Sequence, residues 1–150
     1  MIRAYLDTGV FLVFLDRDDS NSERVLDAAA EGLFLPVVSF HTFQEATHNV
    51  LARRTKDEAS WLRYFMWTLP GLEVVTAERL EAQQRRYEDR VADPSDLPHV
   101  RAYSAAECSR FVTVNRRLTR MAIREVVAFR APRQLLEELG LPVVETPQGI

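Results

Sequence analysis

Short apolar runs alternate with longer amphipathic ones along this chain. Ile2-Arg3-Ala4-Tyr5-Leu6 reads as a strand that ends at Asp7-Thr8-Gly9. A helical stretch over residues 10–15 follows, then a polar break from 16 to 22 with several acids and turn formers. Ser22 is placed to cap a helix from 23 to about 31, which Gly32 ends. Residues 33–38 read as a second strand, with Pro36 where no ladder bond is donated. Ser39 caps a helix over residues 40 to about 54. Phe40, Phe43, Thr47, Val50 and Leu51 form one stripe of it, and Glu45 falls away from the stripe's centre, flanked by His41, His48 and Asn49. Residues 56–69 make another amphipathic helix, with Trp61, Leu62, Phe65 and Met66 on one side, stopped by Pro70-Gly71. A third strand spans 72–75, and Thr76 caps a polar helix to about 91. After the loop Ala92-Asp93-Pro94-Ser95-Asp96, a helix runs from 97 to about 107. Residues 110–114 and 125–129 read as strands four and five. Pro132 opens a last helix ended by Gly140, and the tail is irregular.

Strands that are apolar throughout, separated by helices, predict a parallel sheet covered on both faces. The expected architecture is a three-layer α/β/α sandwich with about five strands, built as a single domain over residues 1–150. In such sheets, sites form beyond the carboxyl ends of the strands. Composition narrows the class. A 47% hydrophobic content excludes a disordered chain. The apolar runs are too short to span a bilayer, and no secretory signal opens the sequence. The single cysteine, Cys108, excludes an intramolecular disulfide and any multi-cysteine metal site, so the expected compartment is the cytoplasm.

The candidate chemistry is carboxylate chemistry. Asp7 stands at the carboxyl end of strand one, Glu45 on the helix after strand two, and Asp96 at the start of the helix leading into strand four. Asn115 lies just past strand four, after Thr113. All fall on or near one rim of the expected sheet. Acids converging on a rim repel each other unless a cation sits between them, and a divalent metal is the simplest one. Oxygen ligands without thiolates favour Mg²⁺ or Mn²⁺ over zinc. Each residue also has a local reading. Asp93 or Asp96 can cap a helix whose first turn holds Pro98. Asp7 can cap the helix after Thr8-Gly9, and Glu45 can be a solvated surface glutamate.

The segments Tyr5-Leu6-Asp7-Thr8-Gly9-Val10, Phe43-Gln44-Glu45-Ala46, Asp93-Pro94-Ser95-Asp96-Leu97-Pro98, Phe111-Val112-Thr113-Val114-Asn115 and Ala131-Pro132-Arg133-Gln134-Leu135-Leu136 stand in this order and spacing. In them the chain resembles PIN-domain ribonucleases, including the VapC-type toxins of bacterial toxin–antitoxin pairs. The resemblance covers nearly the whole chain. It implies a metal-dependent ribonuclease site of three or four acids, with Asp7 as the first, Glu45 the second and Asp96 the third. Thr8 and Thr113 match positions where a hydroxyl orients the site. The fourth position, usually Asp, is Asn115 here; its carbonyl oxygen can reach a metal or water but brings no charge. On this reading Asp7 and Asp96 are metal ligands, Glu45 is a ligand or orients the attacking water, and the cofactor is Mg²⁺ or Mn²⁺.

Net charge is −3, but it is unevenly spread. Residues 1–45 carry three arginines against eight acids, and residues 110–133 carry seven arginines against Glu125 alone. This basic segment is the expected grip on RNA phosphates, with Arg116 and Arg117 nearest the site. The large apolar groups Trp61, Phe65 and Trp67, where exposed, would form a surface for a homodimer or an antitoxin. Other enzyme classes fit poorly. Glu45-Ala46-Thr47-His48 has the E-x-x-H spacing of di-iron bundles, but those need it twice in an all-helical fold. There is no G-x-S-x-G and no glycine-rich phosphate loop. The rival reading is a catalytically weakened PIN-like domain that serves as an RNA- or partner-binding module, for which Asn115 is the sequence support.

Overall fold

The first strand, β1 (Arg3–Leu6), is apolar but for Arg3, and it is the centre of the sheet. With β2 (Leu35–Ser39), β3 (Glu73–Val75), β4 (Arg110–Val112) and β5 (Phe129–Arg130) it makes one five-stranded sheet of order β3-β2-β1-β4-β5. Every pairing is parallel, with Tyr5 opposite Val37 on one side and Phe111 on the other. The structure is a computed structural model that describes residues 1–82, 91, 93–118 and 127–150.

The side-chain period of two divides each strand between two cores. Ala4, Leu6, Val38 and Val112 face the side covered by α1 (Thr8–Asp16), α2 (Asn21–Ala30), α3 (Phe40–Arg53), α4 (Lys56–Trp67) and α7 (Pro132–Glu138). Tyr5, Val37 and Phe111 face the opposite side, covered by α6 (Leu97–Ala105), against which α5 (Ala77–Glu81) packs. The expected three-layer sandwich is therefore the observed one. Among the described residues no helix is long and apolar enough to cross a membrane.

Several boundaries differ from the sequence expectation, for local reasons. Ser20, not Ser22, caps α2: its Oγ accepts from Glu23 N at 3.0 Å, while Ser22 is buried inside the first turn. Asp7 begins α1 two residues earlier than the apolar pattern does. The fifth strand lies at Phe129–Arg130 rather than 125–129, because β4 bonds to Ala128 O and Arg130 O. Val127 is fully buried but sits in the bend before the ladder, so its apolarity reports burial and not strand. Residues 125 and 126 lie outside the described residues, as does most of the helix expected from Thr76 to 91. Ser39 caps α3 as expected, in a reciprocal box with Thr42.

Candidate active site

The carboxyl ends of β1, β2 and β4 lie side by side, and a polar residue stands at or just past the end of each, Ser39 in β2 and Thr113 beyond β4 among them. Asp7 follows β1. Its backbone N–H donates to Val112 O at 3.0 Å, which ties it to the end of β4. Its side chain then does two things at once. Oδ1 accepts from Thr8 N at 2.9 Å, capping α1, and Oδ2 accepts from the Thr113 hydroxyl at 2.8 Å. The local cap reading and the rim placement of Asp7 are thus both realised. With only 9% of the residue exposed, this carboxylate has no freedom to turn away.

Glu45 reaches the same rim from α3. Its Oε1 accepts from the Thr8 hydroxyl at 2.8 Å and from His99 Nε2 at 2.5 Å. Burial pushes the Glu45 carboxyl up, but the His41 and His99 imidazoles and the Thr8 hydroxyl outweigh it and hold the group well below the usual carboxylate range. It is not a solvated surface glutamate.

His99 is the member the sequence reading missed. It lies on α6, 3% exposed, between the acids: Nε2 touches Glu45 and stands 3.6 Å from Asp7 Oδ1. Nδ1 meets the Tyr5 hydroxyl at 2.6 Å, and that hydroxyl also lies 3.1 Å from Ser39 Oγ and 3.0 Å from Thr42 Oγ1. Burial alone would lower its pKa; the Glu45 bond and the charges of Asp7, Glu45 and Asp96 reverse this and raise it. Burial keeps Tyr5 protonated. With a proton on Nδ1, that nitrogen donates to the Tyr5 oxygen, and Tyr5 donates on to Ser39 or Thr42. The His99 ring therefore stands between the acids and makes a hydrogen bond with one of them. The available signal was the i, i+3 spacing of Asp96 and His99, which sets His99 in the first turn of α6, three residues past Asp96 at its N-cap.

His41 stands one turn before Glu45 on α3. Its Nε2 is 3.6 Å from Glu45 Oε1, is buried, and makes no hydrogen bond. Its ring centre lies 5.1 Å from that of His99. Glu45 therefore meets His41 and His99, while His48 is exposed and outside this group.

The acids of the 93–98 segment separate by role. Asp93 Oδ1 accepts from Ser95 N at 3.0 Å and Ser95 Oγ at 2.9 Å, so it caps the 3-10 turn Pro94–Asp96. Asp96 makes no cap hydrogen bond. Burial raises its pKa, and the charges of Asp7 and Asp93 raise it further. Asp7, Glu45 and Asp96 thus share one electrostatic neighbourhood, with Glu45 held ionised and Asp96 pushed toward its neutral form. Among the described residues, the donor atoms that lie within 4.8 Å of one another are those of His41, Glu45 and His99, and Asp7 and Asp96 act on His99 through their charges.

Asn115 is less well placed. Its N–H donates to Thr113 Oγ1 at 3.0 Å, but its Oδ1 turns back to accept from Arg117 N at 3.0 Å. The Arg-rich segment also divides in space. Arg110 and Arg130 are held by Glu138, and Arg133 by Glu137 and Glu145. Arg116 and Arg117 are exposed in the turn beyond Asn115, with Arg117 Nη2 3.7 Å from Asp93 Oδ2. Arg120 and Arg124 lie outside the described residues. Cys108 offers no nucleophile, since burial pushes its thiol up to about 12.

Comparison with known proteins places the fold. The family model described as PIN domain matches residues 4–124. No curated protein matches the chain. VapBC2 from Rickettsia felis, bound to a DNA fragment from its promoter, superposes with a TM-score of 0.63 at 14% identity, covering 87% of this chain and 98% of that one. VapBC-1 from nontypeable Haemophilus influenzae gives a TM-score of 0.56 at 15% identity, covering 87% and 98%. A toxin–antitoxin complex from Klebsiella pneumoniae gives 0.54 at 14%, covering 86% and 97%.

Proposed function

Because the chain belongs to the PIN-domain family, we propose that it is a divalent-metal-dependent ribonuclease hydrolysing phosphodiester bonds of single-stranded RNA, and that it is the toxin of a toxin–antitoxin pair. The observation that carries this is the anchored Asp7 carboxylate, bonded from both flanking elements and facing the neighbourhood of Glu45 and Asp96. In this reading Asp7, Asp96 and Glu45 hold Mg²⁺ or Mn²⁺. Bound there, such an ion would supply a water of lowered pKa and positive charge to offset the negative charge developing on the phosphate.

The protein's own residues supply the positioning. Thr113 fixes one Asp7 oxygen and Thr8 fixes Glu45, so neither carboxylate has to be ordered when substrate arrives. Glu45, kept ionised, is the acceptor suited to orient the attacking water. Arg116 and Arg117 take RNA phosphates, which sets register and makes affinity salt-dependent. The half-exposed Trp61 and Trp67 and the exposed Tyr64 on α4 give a surface for a homodimer or an antitoxin. The VapBC complexes among the structural neighbours support an antitoxin partner.

The test is cleavage of single-stranded RNA by the purified protein with Mg²⁺ or Mn²⁺. Asp7→Asn should abolish it; cleavage unchanged in that variant would refute the assignment. A second reading is favoured by Asn115, whose oxygen serves its own turn instead of the acids. On that reading the domain binds RNA or a partner without cutting. It requires retained RNA binding, no cleavage, and no ion bound at Asp7 and Asp96.

A further inference from the structure

The donor atoms at the rim are not all oxygen. His41 Nε2, His99 Nε2 and a Glu45 carboxylate oxygen lie within 4.8 Å of one another. We propose that His41 and His99 join Glu45 as ligands of a late first-row divalent ion, so that this site prefers a nitrogen-binding metal such as Co²⁺ or Zn²⁺ to Mg²⁺. The inference rests on the reading of the rim as a metal site and specifies which ion it takes.

Three features of the structure point this way. The first is the orphaned nitrogen. His41 Nε2 is buried, faces Glu45 at 3.6 Å and has no hydrogen-bond partner. A buried polar atom without a partner is costly unless something else satisfies it. The second is the support behind His99. Its Nδ1 is held by the Tyr5 hydroxyl, which is held in turn by Ser39 and Thr42. A ligating histidine is characteristically fixed through its other ring nitrogen in this way. Tyr5, Ser39 and Thr42 are all fully buried, so the aim of Nε2 toward Glu45 and Asp7 is rigid. The third is the shared helix. His41 and Glu45 are four residues apart on α3, on one face, and the Thr8 hydroxyl at 2.8 Å holds Glu45 toward the other two donors.

Ligand chemistry then sets the preference. Imidazole nitrogen suits Zn²⁺, Co²⁺ and Ni²⁺, whereas Mg²⁺ demands near-ideal octahedral oxygen and gives up its waters reluctantly. A set of two imidazoles and a carboxylate, with Asp7 beside it, favours such an ion over Mg²⁺. Binding the ion would require His99 Nε2 to give up to solvent the proton it shares with Glu45.

Pulsed electron paramagnetic resonance of the full chain loaded with Mn²⁺ reads the ligand atoms directly. Imidazole nitrogen couplings are expected, reduced in His41→Ala. Titration calorimetry should find Co²⁺ bound at least 100-fold more tightly than Mg²⁺. His41→Ala should weaken Co²⁺ at least tenfold and leave Mg²⁺ within twofold. His41 is partly exposed, so circular dichroism of that variant should match the parent. Mn²⁺ bound through oxygen alone overturns the nitrogen-ligand proposal and leaves the carboxylate site standing. Co²⁺ affinity unchanged in His41→Ala also overturns it. No Mn²⁺ bound at all overturns both this proposal and the metal-dependent reading.

Discussion

At the scale of single residues, Thr113 and Gly9 have roles that can be separated. The Thr113 hydroxyl donates to Asp7 Oδ2 and accepts from Asn115 N, and the residue is 1% exposed. Thr113→Val keeps the shape and removes both bonds. By analogy with other residues that orient metal ligands, Mn²⁺ affinity should fall about 10- to 100-fold. Titration of Mn²⁺ into the variant checks this, and unchanged affinity would remove Thr113 from the site. Gly9 has another reason to be glycine. A Cβ there would sit 2.6 Å from Val114 Cγ2, so the first turn of α1 packs directly on the chain leaving β4. Gly9→Ala should cost about 1–3 kcal/mol of stability through overpacking. Urea denaturation measures it. Gly9→Ala with Val114→Ala should recover much of the loss, and a strictly additive double variant would show that the clash is not the cause.

At the scale of elements, one carboxylate ties three of them together. Glu138 on α7 accepts from Arg110 Nε of β4 at 2.7 Å and from Arg130 Nε of β5 at 2.6 Å. Burial pushes its pKa up, but the two arginines outweigh that and hold it below its ordinary value of 4.5. A carboxyl lowered on folding adds stability above its unfolded pKa, and that stability is lost as pH falls through the folded value. The sign follows: Glu138→Gln should be less stable than the parent at pH 7, and the gap should narrow steadily below about pH 4.5. Thermal melts of both proteins across that range test it. A constant gap would mean that Glu138 acts by packing alone. The pairing also explains why the basic segment does not present all its charge: the arginines nearest the sheet edge are consumed by α7.

At the scale of the whole molecule, the two flanks of the sheet differ. α6 and α5 cover one side. On the other, the outer surface of α3 and α4 leaves Phe40, Trp61, Tyr64 and Trp67 between 45% and 69% exposed. These rings are ordered among themselves: Trp61 stacks on Phe14 and Phe65, and Trp67 stacks on Phe43 at 4.6 Å. Exposed aromatic surface of this kind suits the homodimer proposed above. The purified protein should therefore scatter light at about twice its 17.2 kDa mass at micromolar concentration. Tyr64→Glu, at the most exposed of these rings, should return it to the single-chain mass without unfolding it. A wild-type mass of one chain throughout would reserve the face for a different partner.

Much of this was legible along the chain because it is local. A strand that ends in an acid before a helix puts that acid on the carboxyl rim, so Asp7 is placed by its immediate neighbours. Ser39 before an amphipathic run, and Asp93-Pro94-Ser95, carry caps that need no distant partner. Apolar strands alternating with helices determined the parallel three-layer fold. The remainder was decided by contacts between residues far apart in sequence. Only the packing of α6 across β1 brings His99 to Tyr5 and Glu45, 94 and 54 positions away. Only the strand order sets Thr113 beside Asp7, 106 positions apart. The division of the arginines is likewise tertiary, whereas Asn115 Oδ1 is held by its own local turn with Arg117 N. Periodicity reports which face a residue occupies. Which groups meet across that face depends on strand order and helix docking, and those are set by the closure of the whole core.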